Sequence, residues 1–156
     1  MYRSMDEVGP PLSQDDIAAL ERQLKLSLPR DYVAFLLQYN GGSPMPDTVP
    51  VQDWPEGGPE ADVRTIYGIG SSPQDDTEDL RWNLACYAGR MPSGLVPIAT
   101  TSCGDQFCLW LTGKERGAIV LWDHEAEHRP PTTANLHRIA PTFAAFLELL
   151  HDSPDD

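Results

Sequence analysis

A chain of 156 residues is the size of one ordinary domain and long enough to bury its own core without staples. Its 24 acidic against 11 basic side chains leave a formal charge of −13, which repels nucleic acid and anionic membrane, draws basic partners and favours a dissolved monomer. Apolar residues make up 40%, which excludes global disorder, while no apolar run approaches the ~20 residues of a membrane helix.

Met1 to Leu12 carries Asp6, Glu7 and two prolines and has no basic stretch leading into an apolar one. It reads as a flexible tail (1–12) without a secretory leader, which implies a cytoplasmic protein. Ser13 opens the first helix: Asp16 three residues on completes a capping-box pattern, and Ile17, Leu20 and Leu24 line one face as far as Lys25. Leu28-Pro29 starts a second helix, because proline is tolerated where a helix begins. Tyr32, Phe35, Leu36 and Tyr39 form its apolar stripe, and Asn40-Gly41-Gly42 stops it, so the two helices pack as a hairpin.

Residues 43–60 interleave five prolines with Asp47, Asp53, Glu56 and Glu60 around Gly57-Gly58, an irregular acidic loop with a short strand at Thr48 to Gln52. Val63 to Ile69 alternates like a strand. A second acidic stretch, with Asp75, Asp76, Glu78 and Asp79, leads into a helix predicted over Thr77 to Ala88. Three strands follow, at Leu95 to Ala99, Phe107 to Leu111 and Ala118 to Trp122, the last two joined by a hairpin loop at 112–117. Pro141 opens a closing helix with Phe143, Phe146, Leu147 and Leu150 on its apolar face, and 151–156 is an acidic tail. Helices first, then mainly antiparallel strands, then a helix define an α+β domain over 13–150, a mixed, mainly antiparallel sheet flanked by helices.

Some motifs carry chemistry. His124-Glu125-Ala126-Glu127-His128 matches H-E-x-x-H, the zinc-protease pattern, which needs both histidines on one face of a helix. Here a strand precedes it and Arg129-Pro130-Pro131 follows, so a zinc hydrolase using His124, Glu125 and His128 is the remote alternative. Cys86, Cys103 and Cys108 are odd in number; they read as reduced thiols, with Cys108 in the core and Cys103 in a turn, not as a disulfide framework or a metal site. Gly104-Asp105 reads as a turn whose carboxylate bonds nearby backbone N–H groups, or alternatively as a partner contact. Trp110 and Trp122 lie on neighbouring predicted strands, where they can pair.

Several short signals stand in a fixed order: Ile17-x-x-Leu20-Glu21; Leu28-Pro29-x-Asp31-Tyr32-x-x-Phe35-Leu36, closed by Asn40-Gly41-Gly42; Val96-Pro97-Ile98-Ala99; Gly104-Asp105; Cys108-Leu109; Gly117 with Ile119 to Trp122 and Asp123-His124-Glu125; and Ile139-Ala140 before Phe143-x-x-Phe146-Leu147. This ordered set resembles the SUKH superfamily in its Smi/Knr-like branch over about residues 13–150. The resemblance implies a non-catalytic domain without cofactor or metal. Many bacterial members are immunity proteins that bind and neutralise a cognate polymorphic or contact-dependent toxin, often a nuclease; eukaryotic members act in cell-wall signalling. The expectation is therefore a non-enzymatic module that binds a basic protein toxin and neither nucleic acid nor membrane, with a regulatory or scaffold module as the alternative. Candidate contact residues are Asp47, Asp53, Trp54 and Glu56 in the first acidic loop and Asp75, Asp76, Glu78 and Asp79 in the second. Asp105, Asp123 and Glu125 at the strand ends complete the set. Trp54 is the natural anchor, because aromatic residues rather than carboxylates dominate binding energy; the competing reading folds its ring back onto the core.

Overall fold

A computed structural model describes residues 1–70 and 76–155. Helix α1 (Gln14–Leu24) is capped as its sequence predicts: the Ser13 hydroxyl accepts from the Asp16 amide, and the Asp16 carboxylate accepts from the Ser13 amide at 2.8 Å. Lys25 takes the left-handed conformation that ends it. Helix α2 (Arg30–Gln38) runs from Pro29 to the Asn40-Gly41-Gly42 stop. Asn40 does more than terminate a helix. It is 1% exposed; its carboxamide donates to the Pro10 and Ile69 carbonyls and accepts from the Ile69 amide at 2.8 Å, binding two remote backbone segments to the helix end. Gly41 lies where that backbone passes: a Cβ there would meet the Ile66 carbonyl oxygen at 2.6 Å, and its φ of +85° already favours glycine.

The main sheet has five strands, β5 (Thr65–Ile66), β6 (Leu95–Thr100), β7 (Gln106–Trp110), β8 (Ile119–Trp122) and β9 (Leu136–Ala140), antiparallel in the order β5-β6-β7-β8-β9. Two small antiparallel pairs accompany it: β1 (Ser4–Asp6) with β2 (Ser43–Met45), and β3 (Thr48–Pro50) with β4 (Glu60–Asp62). With α3 (Leu80–Cys86) and α4 (Phe143–Glu148) this is the α+β architecture the element order implies. Both outer strands are partly covered. Gly42 bridges to Ile66 on β5, and the Gln52 amide donates to the Arg138 carbonyl on β9, which blunts the edges against further strand pairing.

Alternation along the strands divides the interior. Phe107 and Leu109 join the larger core, in which Tyr32 and Phe35 of α2 meet Phe143 of α4 at ring separations of 5.1 and 5.0 Å. Cys108 and Trp122 face the other way, into a smaller cluster with Met91, Leu95 and Val120, against which Tyr87 packs. Arg90 closes that side: its guanidinium forms two bonds to the Glu127 carboxylate (3.1 and 2.9 Å) and lies 4.8 Å over the Tyr87 ring and 5.6 Å from the Trp122 ring. Among the described residues no helix is long and apolar enough to cross a membrane.

Four details depart from the sequence reading. Residues 4–6 of the predicted tail form β1, held by backbone bonds that need no apolar pattern, and the Met1 ammonium donates to the Leu150 carbonyl at 2.7 Å. The predicted helix over 77–88 starts only at Leu80, because the Asp79 carboxylate accepts from the Arg81 and Trp82 amides and acts as the N-cap; residues 76–78 form a separate 3₁₀ turn. Trp110 does not pair with Trp122: the register sets Gln106 opposite Trp122, with Trp110 at the far end, bonded to Ala118. Strand β9, absent from the sequence reading, pairs with β8 through a register shift that breaks simple alternation.

Candidate functional site

The start of β7 and the end of β8 are neighbours, so the turns beyond them meet. Thr101 organises the first: its hydroxyl accepts from the Cys103 and Asp105 amides at 3.2 and 3.1 Å, and Gly104 supplies a φ of +96°. Below it, the buried Gln106 accepts from the Tyr67 hydroxyl at 2.6 Å and donates to the Thr100 hydroxyl and the Gly104 carbonyl. In the second turn Asp123 caps a 3₁₀ turn at His124–Ala126 by accepting from the Glu125 amide at 3.0 Å, and Asn135 donates to the Asp123 carbonyl.

Two carboxylates are thereby buried side by side, Asp105 at 5% exposure and Asp123 at 7%. Asp105 Oδ1 accepts from the His124 amide at 3.2 Å and lies 2.5 Å from His124 Nδ1. Asp123 Oδ2 accepts the indole N–H of Trp54 at 3.2 Å. The half-buried Trp54 ring lies on Gly57, where a Cβ would come within 2.0 Å of it, and beside His137 at a centroid separation of 5.4 Å. His137 Nδ1 lies 3.1 Å from the Asp53 carbonyl oxygen, so the 53–57 loop is tied to β9. Trp54, Glu56, Gly57, Cys103, Asp105, Asp123, His124 and Glu125 line a cavity of about 210 Å³.

Trp54, Glu56, Asp105, Asp123 and Glu125, singled out from sequence, thus share one cavity. Trp54 answers both readings: its ring packs partly on the core while its N–H serves the cavity. Asp53 borders a shallower groove beside Trp54. The other candidates lie elsewhere. The Asp47 carboxylate accepts from the Thr48 hydroxyl, Glu78 pairs with Arg64 at 3.3 Å, and Asp79 caps α3. Asp76 begins the 3₁₀ turn, and Asp75 lies outside the described residues. The Asp105 turn does bond backbone, but that of His124 across the strand pair, a partner that only the β7–β8 register reveals.

The H-E-x-x-H residues adopt a different geometry from a zinc-protease helix. After the 3₁₀ turn at His124–Ala126, Glu127 is extended (φ −64°, ψ 134°), and the His124 imidazole is engaged with Asp105. His124, Asp105 and Asp123 each offer one ligand-type atom within 4.8 Å of the others. Cys108 is buried, which pushes its thiol well above the ordinary range, whereas Cys86 and Cys103 are exposed.

An α+β domain with an acidic concavity at one end of an antiparallel sheet is the class of protein that fold and site define. Residues 11–149 match the model of the SMI1 / KNR4 family (SUKH-1), and the chain belongs to that family. It is also 26% identical over 153 residues, 91% of this chain and 76% of the relative, to the SPbeta prophage-derived uncharacterized protein YokK of Bacillus subtilis (strain 168).

Proposed function

We propose that this protein is a non-enzymatic cytoplasmic immunity protein that binds a basic toxin domain and blocks its working surface. The observation that carries the reading is the acidic cavity built from three separate segments around Trp54 on a SUKH-1 domain. A net charge of −13 speeds encounter with a basic partner, and a tryptophan amid carboxylates supplies the kind of anchor that charge alone lacks. The Bacillus relative is prophage-derived by name, and carriage on mobile DNA suits an immunity role.

The test is co-expression with the product of the neighbouring gene, followed by co-purification and a toxicity assay. Stoichiometric capture of that product, with growth restored, supports the proposal. Recovery of ordinary cellular proteins without rescue would favour a regulatory or scaffold module of the same family.

A further inference from the structure

We propose that the cavity under Trp54 is a socket for an arginine side chain of the protein partner. The inference rests on the partner-binding reading above and names the group recognised. Asp105 and Asp123 are more than nine-tenths buried, yet among the described residues neither pairs with a lysine or an arginine; the basic group in contact is the His124 imidazole. Buried carboxylates are ordinarily matched by a cation. Asp105 engages His124 through Oδ1, and its Oδ2 takes no hydrogen bond among the described residues. That oxygen is not sealed in the core, where Tyr32 Oη is, among the described residues, the enclosed polar atom without a partner, and the space Asp105 lines is this cavity.

The geometry favours a guanidinium over a bare metal ion. Both Asp123 oxygens already accept N–H groups, from Glu125 and Trp54, and the Asp105–His124 contact already occupies an imidazole nitrogen. A metal taken up through the same His124 nitrogen would displace the Asp105 contact, and one on Asp123 would compete with two N–H donors already in place. A guanidinium adds donors to oxygens that each accept more than one bond, and its planar fork matches a preset pair of carboxylates. A cavity of about 210 Å³ also exceeds a single water's share of roughly 30 Å³ and suits a side-chain head group. Glu56 and Glu125, both exposed, add negative charge at the rim.

The experiment titrates the intact protein with N-acetyl-arginine amide, N-acetyl-lysine amide and zinc chloride separately, following the Trp54 indole N–H and the backbone amides of 105 and 123–125 by ¹H–¹⁵N NMR. The expected result is a saturable shift with the arginine amide, weaker with the lysine amide, and a loss of affinity of about tenfold or more in Asp105→Asn. Glu125→Lys, at an exposed position, keeps the fold and places a rival cation at the mouth, and it should abolish the shift. Absence of saturable shifts in the wild type, a response in both variants equal to that of the wild type, or saturation by zinc that excludes the arginine amide would each overturn the proposal. The probe needs no toxin, so the socket is tested separately from the immunity reading. Arginine-amide binding without any toxin rescue would leave the socket standing and sink the immunity role. Toxin neutralisation without arginine-amide binding would do the reverse.

Discussion

Trp54 and Asp123 lie 69 residues apart in sequence and are joined by an indole N–H to carboxylate bond of 3.2 Å. That bond closes the 53–57 loop over the sheet end and gives the cavity its roof. Replacing the indole separates the ring's two jobs. Trp54→Phe keeps the ring packing against Gly57 and His137 but leaves Asp123 Oδ2 without its donor, a loss of about 1 kcal/mol. Trp54→Ala removes the packing as well and should cost about 2 kcal/mol, less than a fully buried aromatic. Urea unfolding of the three proteins should rank them in that order, and equal midpoints would show that the loop is not held by this residue.

Asn40→Ala should be more damaging. It removes three hydrogen bonds, two of them buried, orphans the Pro10 and Ile69 carbonyls and the Ile69 amide, and places alanine at a φ of 52°. A loss of about 3 kcal/mol is expected from buried groups left unpaired. Asn40→Gly restores backbone freedom but not the bonds, so it should recover only a fraction of that loss. Full recovery would assign the role of Asn40 to backbone conformation alone.

Local chemistry explains which features were legible in the sequence. The α1 capping box, the glycine stop after α2 and strands β6 to β8 each rest on a few adjacent residues, and each appears close to its predicted place. Strands β1 and β2 are three residues long and held by backbone bonds, so they carry no period to read. The site was legible in its parts. Trp54, Asp105 and Asp123 stood out as residues, but their convergence depends on the β7–β8 register and on a loop crossing to β9, both non-local. Nor does composition say what a carboxylate does: Asp79 looked like Asp53 or Glu56 in sequence, yet it caps a helix.

Charge reversal near the cavity should act mainly on partner association. Glu56→Lys or Glu125→Lys, both at exposed positions, should leave the melting temperature within the range of ordinary surface changes while slowing association with a basic partner, and the effect should shrink as salt rises. Glu115→Lys in the distant 112–117 loop is the control. Equal slowing by the control would show that net charge, not this cavity, guides the encounter.

The Arg90–Glu127 pair makes a pH-dependent contribution whose direction is set by the carboxylate. The bonded guanidinium holds Glu127 below its ordinary range. A carboxylate whose folded value is depressed contributes stability fully above its unfolded value, near 4.3, and loses it as pH falls through the folded value. Arg90→Lys gives up the two-bond fork and the flat cation over Tyr87, a loss of about 1 kcal/mol at neutral pH. The gap between wild type and Arg90→Lys should persist from pH 7 to about 5 and narrow below about 4 as Glu127 protonates. A gap unchanged at pH 3 would assign the role of Arg90 to ring packing rather than to the ion pair.

The three thiols should divide by burial. Cys86 and Cys103 are exposed and should react with a disulfide reagent in the native state. Cys108 lies buried on β7, within 3.7 Å of the Met91 sulfur, and its thiol is pushed up by burial, so little thiolate forms and no reagent reaches it. Native protein should therefore titrate two thiols rapidly, with the third appearing only at the rate of unfolding and all three reacting at once in denaturant. Cys108→Ser should remove the slow phase and destabilise the smaller cluster, since a hydroxyl there replaces a small apolar group beside Leu95, Val120 and Trp122. A rapid third equivalent in native protein would mean that the Met91–Trp122 face opens far more readily than its packing implies.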